Sequence, residues 1–140
     1  MHAVATWRKG HEILLEDGRA HAVVVDLAPD EGGTSAGTTP LELSVLSLAG
    51  SIASTFVALA RKRRMDFSGL TLVLESAAAA MPLELGNIHG TLRVRSRSDR
   101  SEVDATLQAA LASCPVGRIF REAHISVSVV AVVASTGRPS

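Results

Sequence analysis

TTPLELSVLSLAGSIASTFVALARKRR, residues 38 to 64, reads as one long helix with almost no side suited to solvent until its last turn. Its start is written in Thr39-Pro40-Leu41-Glu42: a threonine cap, a proline at the first helical position and a glutamate three residues after the cap. Arg61, Lys62, Arg63 and Arg64 place positive charge at the negative end of the helix dipole and close it. A helix of this length is a rod of roughly 35 Å at about 1.5 Å per residue. Ser44, Ser47, Ser51, Ser54 and Thr55 recur at steps of three and four and share one face, while Leu41, Leu43, Leu46, Leu48, Ile52, Phe56, Val57 and Leu59 take the others. A sheet can bury the apolar side. The small-residue stripe suits a second closely approaching helix, and with only one further long helix expected in the chain, a symmetric partner is the expected source. The sequence thus predicts an intertwined homodimer.

The rest of the chain surrounds this helix with strands. Alternation over Ala3–Trp7, Glu12–Glu16 and His21–Leu27 predicts a three-stranded meander, turning at Glu16-Asp17-Gly18-Arg19. PDEGGTSAGTT, residues 29 to 39, reads as a loop. Beyond the helix, Leu70–Glu75 and Ile88–Arg95 predict two strands joined by a loop carrying AAAAMP, residues 77 to 82. A second helix is expected over Ser101–Cys114 with Ser101 as its cap and Val103, Leu107, Ala110 and Leu111 on one face. Pro115 restarts a short helical turn toward Phe120, and Ile125–Val133 has the composition of a final strand. The order βββ, α, ββ, α, β gives an α+β fold in a single domain over residues 1–140.

Composition narrows the function. The 140 residues are 46% hydrophobic and 20% charged, with 14 basic and 14 acidic side chains, so there is no overall pull toward nucleic acid or anionic lipid. The basic clusters Arg61–Arg64 and Arg93, Arg95, Arg97, Arg100 lack aromatic neighbours for base stacking, aromatics being 3% of the chain, and read as solvated surface. Glu42 and five hydroxyl residues interrupt the apolar run, and no leader-like segment opens the chain, so a cytoplasmic protein with neither membrane nor nucleic-acid partner is expected. His2, His11, His21, His89 and His124 show no metal-ligand spacing. GGTSAG lacks the lysine and following hydroxyl residue of a phosphate loop. No metal and no cofactor are expected.

Cys114 is the only cysteine, so no internal disulfide can form. It precedes Pro115, where free N–H groups at a helix start and Arg118 one turn on would favour a thiolate; a buried, inert thiol is the alternative. Ser51 could be imagined as an acyl-transfer nucleophile, but a mid-helix serine has no free backbone N–H groups beside it for an oxyanion. A hydroxyl bonding back to a carbonyl one turn earlier is the expected role.

Trp7-Arg8-Lys9-Gly10, the Gly-rich loop before Thr39-Pro40-Leu41-Glu42-Leu43, Leu48-Ala49-Gly50-Ser51, and Ala112-Ser113-Cys114-Pro115-Val116 together resemble the OsmC/Ohr superfamily of osmotically induced and organic-hydroperoxide-resistance proteins. The resemblance implies a dimeric α+β fold with composite sites at the subunit interface. It places a peroxidatic cysteine at the position of Ser51 and a resolving cysteine at Cys114, activated by an arginine, which Arg8 roughly matches, and a glutamate. The hydroperoxidases carry that glutamate directly after the helix-start proline, where this chain has Leu41; Glu42 stands one residue on and also serves the cap. A serine hydroxyl is neither ionised nor polarisable at neutral pH, so the two-cysteine peroxidase site is incomplete and weak or no peroxidase activity is expected. If the chain is active, it is as a thiol-dependent hydroperoxide reductase using Cys114. The alternative is a non-catalytic module that binds a small hydrophobic or peroxide-type molecule at the dimer interface.

Overall fold

A computed structural model describes residues 1–77 and 84–136, and the chain divides into two compact units, Met1–Ser44 and Val45–Ser140. The loop expected at AAAAMP falls, apart from Ala77, outside the described residues.

The first unit is an antiparallel meander of β1 (Val4–Lys9), β2 (Glu12–Glu16) and β3 (Ala22–Val25), with Trp7 opposite Ile13 and Ile13 opposite Val25. After β3 the chain makes a 3₁₀ turn at Pro29–Glu31 and returns, so that Thr38 pairs with Val25. The buried carboxylate of Asp26 holds this loop: one oxygen accepts from the N–H of Leu27 at 2.8 Å, the other from the N–H and hydroxyl of Thr34 at 3.0 and 2.7 Å and from the N–H of Ala36 at 3.0 Å. Two glycines of GGTSAG serve close backbone approach, since a Cβ at Gly33 would collide with the Leu27 carbonyl and one at Gly37 with that of Val24. These bonds, that from Ala36 foremost and the Thr34 hydroxyl next, hold the Asp26 carboxyl well below the usual carboxylate range against the opposing effect of burial. A depressed folded pKa means that the clamp is fully present above about pH 4 and is lost only as pH falls through the lower folded value. Asp26→Asn, which turns an acceptor into a donor against those N–H groups, is expected to speed amide exchange at Thr34 and Ala36 by at least about tenfold at neutral pH. Unchanged exchange would show that the loop holds itself.

The long helix α1 runs Pro40–Lys62. Its first turn is a reciprocal cap: the Thr39 hydroxyl accepts from the Glu42 N–H at 3.2 Å, and Glu42 accepts from the Thr39 N–H at 2.8 Å. Leu48, Ile52, Phe56 and Ala60, one residue per turn, are buried. The opposite side is open. Leu46 is 57% exposed, and Ser47, Gly50, Ser54 and Ala58 are exposed beside it. The hydroxyl stripe therefore splits, with Ser47 and Ser54 facing out while Ser44, Ser51 and Thr55 are half-buried along its edge. With a mean hydropathy of 1.9 over 18 residues, α1 is long and apolar enough to cross a membrane by length and composition; in this fold its inner arc belongs to the core.

In the second unit β4 (Phe67–Ser76) pairs antiparallel with β5 (Ile88–Ser96), and β6 (Val127–Ser135) lies parallel to β5 from Ile88↔Val127 to Ser96↔Ser135. A parallel return needs a crossover, supplied by α2 (Arg100–Ser113) and α3 (Pro115–Glu122). Alternate residues of β5 and β6, among them Ile88, Leu92, Val94, Val129 and Ala131, join the inner arc of α1, Val103, Leu107 and Ala110 of α2, and Phe120 of α3 in one core. The elements and their order match the α+β expectation. Several boundaries shift by one to three residues: β4 starts at Phe67 and β6 spans Val127–Ser135, and α2 starts a residue earlier than Ser101, capped by Asp99, whose extended backbone (φ −62°, ψ 149°) lets its carbonyl accept from the N–H groups of Glu102 and Val103.

Candidate functional site

Cys114 sits at the joint between α2 and α3. It ends the first helix, its N–H donating to the Ala110 carbonyl at 2.8 Å, and caps the second, its sulfur accepting from the Gly117 N–H at 3.3 Å. Extended backbone at Cys114 (φ −61°, ψ 119°) followed by Pro115 makes the break, because the residue before a proline is steered out of the helical region. The side chain is wholly buried. It points at α1, and its thiol donates to the Ser51 hydroxyl at 3.0 Å, joining positions 63 residues apart. The Ser51 hydroxyl thus accepts across the core, and its carbonyl takes the Thr55 hydroxyl at 2.8 Å.

A cavity of about 20 Å³ lies beside Cys114, lined also by Ile52, Leu111, Gly117, Arg121 and Val127. Arg121 is fixed there by donating to the Leu111 and Ala112 carbonyls at 2.8 and 3.3 Å, which satisfies acceptors left free at the end of α2. Arg118, the cation expected near the thiol, pairs instead with Glu122 on the exposed side of α3 at 2.9 Å. Gly117 and Arg121, three and seven residues after Cys114, are the site residues that sequence reasoning missed; helical spacing counted from the cap was the available signal.

Arg8 and Glu42 belong to the first unit and have partners there. Arg8 is exposed and lies 3.9 Å from Glu12. Glu42 is engaged by the cap and by the Thr38 hydroxyl at 3.1 Å; the Thr39 N–H first, then the Thr39 and Thr38 hydroxyls, keep its carboxyl below the ordinary range.

The family described as OsmC-like protein matches residues 32–130, which include α1, Ser51 and Cys114. This chain belongs to the OsmC-like protein family. No curated protein matches it. Among solved structures, it is similar to an OsmC-like protein from Mycoplasma pneumoniae (14% identity, 95% of this chain and 96% of that one, TM-score 0.82). Further likenesses are to an OsmC-like protein of unknown function from Vibrio cholerae (13%, 94% and 97%, TM-score 0.79) and to an organic hydroperoxide resistance protein OsmC from Legionella pneumophila (18%, 96% and 97%, TM-score 0.65). At these identities the likeness establishes the OsmC-like fold. Ser51 and Cys114 are adjacent in this OsmC-like chain, hydroxyl to thiol at 3.0 Å.

Proposed function

We propose that this OsmC-like protein belongs to the oxidative-stress, organic-hydroperoxide-resistance group and acts as a cytoplasmic homodimer whose two-cysteine peroxidase site is incomplete. The observation that carries the reading is the 3.0 Å contact between Cys114 and Ser51. A two-cysteine cycle needs a sulfur oxidised by the hydroperoxide and a second sulfur that condenses with it to a disulfide. With a hydroxyl at position 51 neither role is filled there, and Cys114 has no thiol within its own chain to condense with. Organic-hydroperoxide reduction is accordingly weak or nil. An assay with cumene hydroperoxide and a dithiol reductant should give at most slow consumption, and fast turnover by this chain would overturn the reading.

A further inference from the structure

Eight of the 14 basic side chains lie in two runs, residues 61–64 and 93–100. Taken one at a time the runs are solvated surface, but the fold joins them at one end of the second unit. The turn from α1 into β4 is stitched to the end of β5: the Asp66 carbonyl accepts from the Ser96 hydroxyl at 2.7 Å and from the Arg97 N–H at 3.2 Å, and Arg63 reaches α2, donating to the Thr106 hydroxyl at 2.8 Å. Leu92 and Val94 point into the core with α1, so their neighbours Arg93 and Arg95 stand on the outer face of the sheet. Arg61, Lys62 and Arg64 are exposed at the end of α1, which packs on the other face. The basic surface therefore turns a corner, from the outer face of β5 round to the end of the helix. The acidic side chains on these segments are Asp66, Asp99, Glu102 and Asp104; Asp66 pairs with Arg97 at 3.6 Å and Asp104 with Arg100 at 3.5 Å. Among the described residues no carboxylate pairs with Arg61, Lys62, Arg64, Arg93 or Arg95.

Helix chemistry alone does not account for this charge. Arg64 follows the last turn of α1 in the left-handed conformation (φ 57°), where the Met65 N–H closes on the Ala60 carbonyl at 2.9 Å and glycine is the easier fit. Arg100 opens α2 and puts a cation at the positive end of its dipole. Neither choice favours the helix it borders, and both enlarge the same basic surface.

We propose that this corner binds a flexible phosphate chain, of which inorganic polyphosphate is the simplest. Such a chain asks only for cations, and arginine meets phosphate oxygens with paired N–H donors. The segments that form the corner expose no aromatic side chain on which a base could stack. A nucleic-acid duplex is stiff over this distance and meets one side of a corner, whereas a flexible chain follows both. The surface shares no residue with the Ser51–Cys114 pair, so its test is independent of any peroxidase activity.

Labelled polyphosphate is titrated with the full chain, with duplex DNA of equal charge as the comparison. Polyphosphate should bind the more tightly. With Arg61, Lys62, Arg64, Arg93 and Arg95 each neutralising a phosphate, its affinity should fall about a hundredfold between about 50 and about 200 mM salt. Two double variants remove charge from either side of the corner: Arg93→Thr with Arg95→Thr, which suits a strand, and Arg61→Gln with Lys62→Gln, which suits a helix. Each pair should weaken binding at low salt at least about tenfold and flatten the salt slope by about 1.4. Arg118→Gln, outside the corner, should leave binding unchanged. No binding of polyphosphate at about 50 mM salt, equal or tighter binding of the duplex, loss through only one of the two folded pairs, or an equal loss in Arg118→Gln would each overturn the proposal. Should one pair fail to fold, the other pair and the comparison of the two polymers decide.

Discussion

Ser51→Cys is expected to create a hydroperoxide reductase where the parent chain has little activity. The substitution puts sulfur on the α1 atom that now stands 3.0 Å from the Cys114 sulfur, and a disulfide spans about 2.0 Å, so closure needs about 1 Å of approach. That motion is within reach because Ser51 is half-buried at the edge of the α1 face and not wedged in the core. Two readouts follow. Oxidation by cumene hydroperoxide should join positions 51 and 114, seen as a protein that resists thiol labelling after unfolding, and the closed loop of 63 positions should raise stability by roughly 4 kcal/mol. Turnover with a dithiol should then exceed that of the parent by at least about a hundredfold, or ~2.7 kcal/mol of barrier. A disulfide without turnover would mean that the thiol at 51 lacks an activating group. Failure to form any disulfide would show that positions 51 and 114 are not the redox pair, and the proposed function would fall with it.

The parts of the fold that were legible in sequence are those set by local chemistry. Thr39-Pro40-Leu41-Glu42 announces the start of α1 because each residue answers a need of the first helical turn, and the same bonds appear in the structure. Alternation in the first three strands and the β-branched run before Val133 likewise depend on neighbours along the chain. What sequence could not give depends on angles between elements. Arg118 looked like the cation beside Cys114, but it has Glu122 one turn away and pairs there. Arg121 has no such local partner; it meets the free carbonyls of α2, which lie within reach only because the chain turns at Cys114-Pro115. The same turn aims the Cys114 sulfur at Ser51. The parallel pairing of β6 with β5 is a further tertiary choice, fixed by the α2–α3 crossover. The resemblance singled out Ser51 and Cys114, which lie side by side; the cavity beside them and Arg121 were not legible.

The two sides of α1 make opposite demands, and substitutions on each should separate them. Phe56 is fully buried one turn beyond Ile52 and meets Phe67 edge to face, with ring centroids 6.4 Å apart and planes at 79°. Phe56→Ala is expected to cost about 3–5 kcal/mol, a large share of the roughly 5–15 kcal/mol that a domain has in total, read as a fall in the urea midpoint with an unchanged slope. Loss of that anchor also loosens the α1 segment that carries Ser51, so Cys114 should become open to thiol reagents in native buffer. Ser54 lies on the exposed side, and Ser54→Arg should alter the stability of the single chain by less than about 0.5 kcal/mol. If a second copy lays its own α1 against this side, however, a long cation there keeps the helices apart, and light scattering should report a monomer in place of the parent dimer. A parent chain that is already monomeric at micromolar concentration would remove the dimer from the proposed function. A Ser54→Arg chain that remains a dimer would move the interface off this face. In either case the open row of Leu46, Ser47, Gly50, Ser54 and Ala58 would need another reason to be so apolar, because the core of a single chain uses only the opposite arc.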